Sequence, residues 1–150
     1  DLRGISLDLR PSMLDDLGLL PTLDWLCVEI TRRHGIQVQF TSDLDDVQIP
    51  DATESAIYRI VQEGLANIVK HAKAHSARVE LTRADNAIHL SILDDGCGFD
   101  INEPPARHPE GSGSGLLNMK ERAAMLGGTF RVSSPPGEGT LLSLKIPLGD

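Results

Sequence analysis

The chain has 150 residues, which suits one compact domain with one core and leaves little room for two. A formal net charge of −8 excludes the broad basic face that a sequence-tolerant nucleic-acid binder needs. Hydrophobic residues at 40% exclude wholesale disorder, and aromatics at 3% leave the core to Leu, Ile, Val and Ala.

Leu2, Ile5 and Leu9 lie on one helical face, and Pro11 ends that pattern. Residues 11–20 read as a connector. A helix is expected from about Thr22, with Leu23, Leu26, Cys27 and Ile30 as its apolar stripe and Gly35 as its C-cap. Cys27 and Cys97 are too few for a disulfide framework and read as reduced thiols. Ile36, Val38 and Phe40 alternate as in a half-buried strand. Pro50 and Asp51 open a long helix that should run to about Ala72, with Asp51 and Glu54 spaced as a capping box. Residues 77–83 and 87–93 read as two strands turning at Ala84-Asp85-Asn86. From Asp95 to Gly115 periodicity disappears, and a loop that long is usually functional or disordered. A third helix is expected from about Gly115 to Leu126, then strands near 129–133 and 140–146. No apolar run is long enough to span a bilayer, and no signal-peptide pattern is visible. This order predicts an α+β sandwich, with one mixed or antiparallel sheet covered on one face by three helices.

Four motifs carry chemistry. On the long helix, Glu63, Asn67, Lys70 and His71 share one face beside the core stripe of Ile57, Val61, Gly64 and Ile68. Glu63 and Asn67, at i and i+4, can place a carboxylate and an amide oxygen around one ion. Asp94-Asp95-Gly96-Cys97-Gly98 then follows an apolar strand. A carboxylate there can accept from an amino group such as adenine N6, and the glycines let a ligand approach the backbone. Gly111 to Leu116 runs into a helix and suits phosphates through free backbone N–H groups. Last, Gly137-Glu138-Gly139-Thr140 places a small hydroxyl at a strand start. Each motif alone is equally a helix face, turn or linker; their order is what discriminates.

That order resembles the nucleotide-binding boxes of the GHKL ATPase/kinase superfamily, over about residues 21–148. Within it, the chain is similar to the catalytic domain of sensor histidine kinases of the NarL/LuxR-type group. The stretches RIVQEGLANIVKHA (59–72), GLLNMKERAAMLGG (115–128) and LRPSMLDDLGLLPTL (9–23) carry the likeness. The resemblance implies a two-layer α/β sandwich of the Bergerat type with a mixed sheet. It makes 1–20 the end of a dimerisation helix plus connector, cut from a longer protein, and 21–150 the ATP-binding catalytic domain.

The resemblance also implies roles. Asn67 would coordinate Mg²⁺, and Glu63 would polarise a water or assist the magnesium shell. Lys70 and His71 would lie near the phosphates of ATP. Asp94 would bind adenine, with Gly96 and Gly98 shaping that wall and Thr140 supporting it. Gly113, Gly115 and Leu116 would cradle phosphates. Ser114 stands where the family commonly has His, which leaves the backbone cradle intact. The implied activity is transfer of the γ-phosphoryl group to a His on the dimerisation helices, then to a response-regulator Asp. None of His34, His71, His75, His89 and His108 has an acceptor's context, so the fragment should not phosphorylate itself. No nucleic acid is expected as a partner, and the expected location is cytoplasmic. An anti-sigma-factor-type serine kinase or another ATPase of the superfamily is the alternative.

Overall fold

The structure is a computed structural model that describes residues 14, 16–44, 49–72, 74–96, 112–133 and 139–148. The helix expected over 1–10 lies outside the described residues.

Helix α1 (Leu19–His34) buries the stripe read from the sequence, Leu23, Leu26, Cys27 and Ile30. It starts at Leu19 rather than Thr22, because Leu19 itself joins the core. The Thr22 hydroxyl also donates back to the Gly18 carbonyl at 2.7 Å, inside the first turn. Gly35 closes the helix with a left-handed φ of 72°. Strand β1 (Gln37–Ser42) follows, with Val38 and Phe40 half-buried.

Helix α2 (Asp51–Asn67) buries Ile57, Val61 and Gly64 as its periodicity requires. The expected capping box does not form. Pro50 occupies the N-cap without a side-chain hydrogen bond, and Asp51 already lies inside the first turn. After Asn67 the α-helix gives way to a π-helical turn, Ile68–Ala72, where continued α-helix was expected. Such turns recur at functional sites.

Strands β2 (Ser76–Ala84) and β3 (Ala87–Asp94) form the expected hairpin. Its two-residue turn sets Asp85 and Asn86 at φ 56° and 58°, a conformation that Asp and Asn tolerate. Helix α3 (Ser112–Met125) begins at Ser112, so the glycine-serine run expected to precede it forms its first turn. Strands β4 (Thr129–Ser133) and β5 (Leu141–Pro147) complete one sheet of order β1-β2-β3-β5-β4. β1 runs parallel to β2, as a helical connection between them demands, and the other pairs are antiparallel.

The inward sheet face carries Val79, Leu81, Ile88, Leu90, Ile92, Leu142, Leu144 and Ile146, all buried. The three helices cover it, and each fully buried Leu or Ile stabilises by about 1.5–3 kcal/mol. The opposite face is polar, with Glu80, Thr82, His89, Ser91, Ser143 and Lys145. The result is the expected two-layer sandwich with a mixed sheet.

Candidate functional site

Asp94 ends β3 on the inward face, in line with Leu90 and Ile92, and is 5% exposed. A carboxylate at the end of an apolar row needs backbone donors, and it has them. Oδ1 accepts from the Gly96 N–H at 2.7 Å and the Thr140 N–H at 3.4 Å. The Asp94 N–H in turn donates to the Thr140 carbonyl at 3.0 Å. Burial pushes the Asp94 carboxyl above its ordinary pKa, and the two N–H bonds pull against that rise. Among the described residues both bonds fall on Oδ1, and Oδ2 can accept from a ligand. Thr140 is 4% exposed, so Asp94, Gly96 and Thr140 form one buried acceptor wall.

Two neighbours of this wall received no role of their own from the sequence. A Cβ on Gly139 would overlap the Asp94 carbonyl oxygen and lie 2.9 Å from its carbon. Only glycine permits this close approach of the strand carrying Thr140. Its signal was the Gly-x-Gly-Thr motif, in which Gly139 directly precedes Thr140. Asp95 is the second. Its Oδ1 accepts from the N–H groups of His75 at 2.8 Å and Ser76 at 3.0 Å, and its Oδ2 accepts from Ser76 Oγ at 3.0 Å. These donors, Ser76 N–H first, hold the Asp95 carboxyl below its ordinary pKa.

Glu63 and Asn67 are half-buried on α2, and Lys70 is exposed in the π-helical turn. Their end of α2 lies at the Asp94 end of the sheet. The π-helical turn leads to Ser76, where β2 begins, and Ala77 pairs with Asp94. Close packing supports this placement. A Cβ on Gly64 would lie 2.9 Å from Ile92 Cδ1 and 3.2 Å from Leu142 Cδ1. Those two residues neighbour Asp94 and Thr140 along the inward face.

His71 belongs to the π-helical turn, but its side chain lies outside the described positions, as does that of Leu116. Gly98 lies outside the described residues altogether. Gly113, Gly115 and Leu116 fall within α3. The first turn of such a helix holds N–H groups without intrahelical acceptors. Among the described residues no cluster of three or more His, Cys, Asp or Glu could hold a metal. Mg²⁺ needs no such cluster, because it keeps waters and phosphate oxygens and takes one or two protein oxygens. The hard oxygens of Asn67 and Glu63, stacked one turn apart, fit that demand.

Two open depressions, of about 420 and 700 Å³, lie over the polar face of the sheet. The larger is lined in part by Asp94 and Asp95, together with outward residues such as Arg78 and Leu93. The Asp94 carboxylate belongs to the opposite, helix-covered face, so neither depression is the site that it serves.

The fold is thus a two-layer sandwich with a buried carboxylate at the sheet end, beside a helix end that carries Asn67. Residues 52–150 match the family described as histidine kinase-, DNA gyrase B- and HSP90-like ATPase. The chain belongs to this family, and ATP binding goes with membership. It is 34% identical over 150 residues to the oxygen sensor histidine kinase NreB of Staphylococcus carnosus (strain TM300). That match covers all of this chain and 42% of NreB, so the chain spans less than half of its relative. Among solved structures, the blue-light activated histidine kinase of Erythrobacter litoralis EL346 superposes with a TM-score of 0.65 at 25% identity. The match covers 87% of this chain and 42% of that one. Full-length ShkA, solved with AMPPNP, superposes with a TM-score of 0.71 at 22% identity, over 88% of this chain and 30% of that one. No helix among the described residues is long and apolar enough to cross a membrane.

Proposed function

We propose that this chain is the catalytic domain of a cytoplasmic two-component sensor histidine kinase. It binds Mg-ATP and supplies the γ-phosphoryl group to a His on dimerisation helices of the same kinase, for relay to a response-regulator Asp. The observation that carries the reading is the Asp94 carboxylate, buried and held at Oδ1 by Gly96 and Thr140. A buried carboxylate with an acceptor oxygen to spare suits the exocyclic amino group of adenine. The likeness to NreB along the whole chain favours the histidine kinase over the serine kinase alternative.

In this reading Asp94 and Thr140 orient the base, with Gly96 and Gly98 shaping that wall. Asn67 offers its amide oxygen to Mg²⁺, and Glu63 supports that shell or orients a water. Lys70 and His71 stand near the phosphates. The α3 turn with Gly113, Gly115 and Leu116 meets the phosphate chain through backbone N–H groups. Mg²⁺ held there by Asn67 and Glu63 would neutralise charge on the phosphates. In the transfer, an imidazole nitrogen of the acceptor His bonds to the γ-phosphorus, the β–γ bridging P–O bond breaks, and ADP leaves.

The test is calorimetric titration with Mg-ATP, alongside Asp94→Asn and Asn67→Ala. Loss of affinity in Asp94→Asn, and loss of the magnesium dependence in Asn67→Ala, are expected. Unchanged affinity in Asp94→Asn would refute the site. Mixing the chain with a dimerisation helix carrying the acceptor should give acid-labile phosphohistidine on that helix and none on this chain.

A further inference from the structure

We propose that Asp95 is a positioning residue that holds the adenine end and the phosphate end of the nucleotide site in register. The inference rests on the nucleotide-site reading given above. The two ends belong to different elements: Asp94 and Thr140 sit at strand ends, and Asn67 sits at the end of α2. The chain that leaves Asn67 makes a π-helical turn and then enters β2 at Ser76.

Asp95 grips the end of that segment. One carboxylate takes the His75 N–H, the Ser76 N–H and the Ser76 hydroxyl at 2.8–3.0 Å. Its own N–H donates to the Ser76 carbonyl at 3.2 Å. Asp95 is therefore bonded in four places to the strand entry, while its neighbour Asp94 forms the acceptor wall. The His75 carbonyl also accepts from Gln37 at 3.0 Å, which ties the same point to β1. The side chain is exposed, so core packing does not require an acid there. Charge-assisted bonds to two adjacent backbone donors fix direction as well as distance. A shift of the strand entry would carry the π-helical turn, and so Asn67 and Lys70, away from Asp94.

The test uses the full chain with Asp95→Ala, Asp95→Asn and Ser76→Ala, and with Asp94→Asn as reference. Mg-ATP affinity is read by calorimetry and adenosine affinity by NMR titration. Adenosine needs only the adenine end, whereas Mg-ATP needs both ends in register. Asp95→Ala should weaken Mg-ATP by about tenfold and adenosine by less than about twofold. Asp95→Asn keeps an oxygen for the two N–H donors and should recover most of the loss. Ser76→Ala removes one bond and should weaken Mg-ATP by roughly twofold to threefold, which keeps the proposal testable if Asp95→Ala folds poorly. Equal loss for both ligands would mark Asp95 as merely structural, and no loss would remove its role. Unchanged Mg-ATP affinity in Asp94→Asn would instead overturn the site reading itself.

Discussion

Gly139→Ala tests the geometry of the acceptor wall with a single methyl group. The new Cβ would overlap the Asp94 carbonyl oxygen, lie 2.9 Å from the Asp94 carbonyl carbon and 3.3 Å from Asp95 Cα. Ordinary carbon contacts sit at about 3.5–4.0 Å. All three obstacles are backbone, so no side chain can rotate away. Overpacking costs about 1–3 kcal/mol, and rigid backbone obstacles place this case near about 3 kcal/mol. For a chain of this size, that lowers Tm by about 6–12 °C. Relief by moving residue 139 also draws the Thr140 N–H off Asp94 Oδ1, a bond already 3.4 Å long. Loss of that bond adds to the stability cost, and a carboxylate left less firmly oriented should bind Mg-ATP roughly tenfold more weakly. Scanning calorimetry and ligand titration read the two effects separately. Gly35→Ala is the control: its φ of +72° strains an alanine, but a Cβ there meets nothing within 4 Å. It should lower Tm and leave affinity unchanged. A Gly139→Ala protein that melts within about 2 °C of the parent and binds equally well would refute the close-approach argument.

Asp94→Asn should melt higher than the parent at pH 7 while losing nucleotide. The folded carboxyl is raised above its ordinary 3.8, so its contribution to stability is full below 3.8 and is lost as pH rises through the folded value. The gain in Tm should therefore vanish in melts below pH 3.8, and a constant gain across pH would contradict burial as the cause. The Cys27 thiol, 1% exposed and pushed up to about 12, should resist iodoacetamide in the native chain and react in urea. Peptide mass spectrometry reads this, and native labelling of Cys27 would contradict its place in the core. Gly64→Ala meets flexible side-chain ends at 2.9 and 3.2 Å. Its overpacking, about 1–3 kcal/mol, is offset by about 1 kcal/mol of helix propensity, giving a net loss of about 0–2 kcal/mol in urea unfolding.

Much of the fold was legible because periodicity reports faces directly. The stripe of α1, the core face of α2 and the alternation of β2 and β3 all follow from where Leu, Ile and Val recur. Periodicity is silent on partners and on hydrogen-bond pattern. The π-helical turn at Ile68–Ala72 keeps the residues of a helix and changes only which carbonyl each N–H meets. The capping box failed because spacing cannot say which residue becomes the N-cap, and Pro50 took that place. The start of α3 was misplaced because glycine disfavours helix by only about 1 kcal/mol per residue, which tertiary packing can override. Asp94 was legible as a strand end before glycines. The glycine spacing and the alternation of Ile88, Leu90 and Ile92 single it out from Asp95, but nothing in the sequence says which backbone donors Asp95 meets.

The structure separates the two by surroundings alone. Asp94 points into the sandwich, where burial raises its pKa and its bonds among the described residues fall on Oδ1. Asp95 points outward, where three donors engage both of its oxygens and lower its pKa. Alternation along an extended chain forces this opposition, because adjacent side chains leave on opposite faces. Two adjacent acids at a strand end therefore supply one carboxylate held ready for a ligand and one bonded into the scaffold. The charge of −8 fits the same logic. A polyanionic ligand is compatible with an acidic domain when its recognition is local, since an exposed acid more than about 10 Å from the phosphates is largely screened at physiological salt. If Asp94 meets the base, as proposed, its charge lies where the ligand carries none and costs binding little.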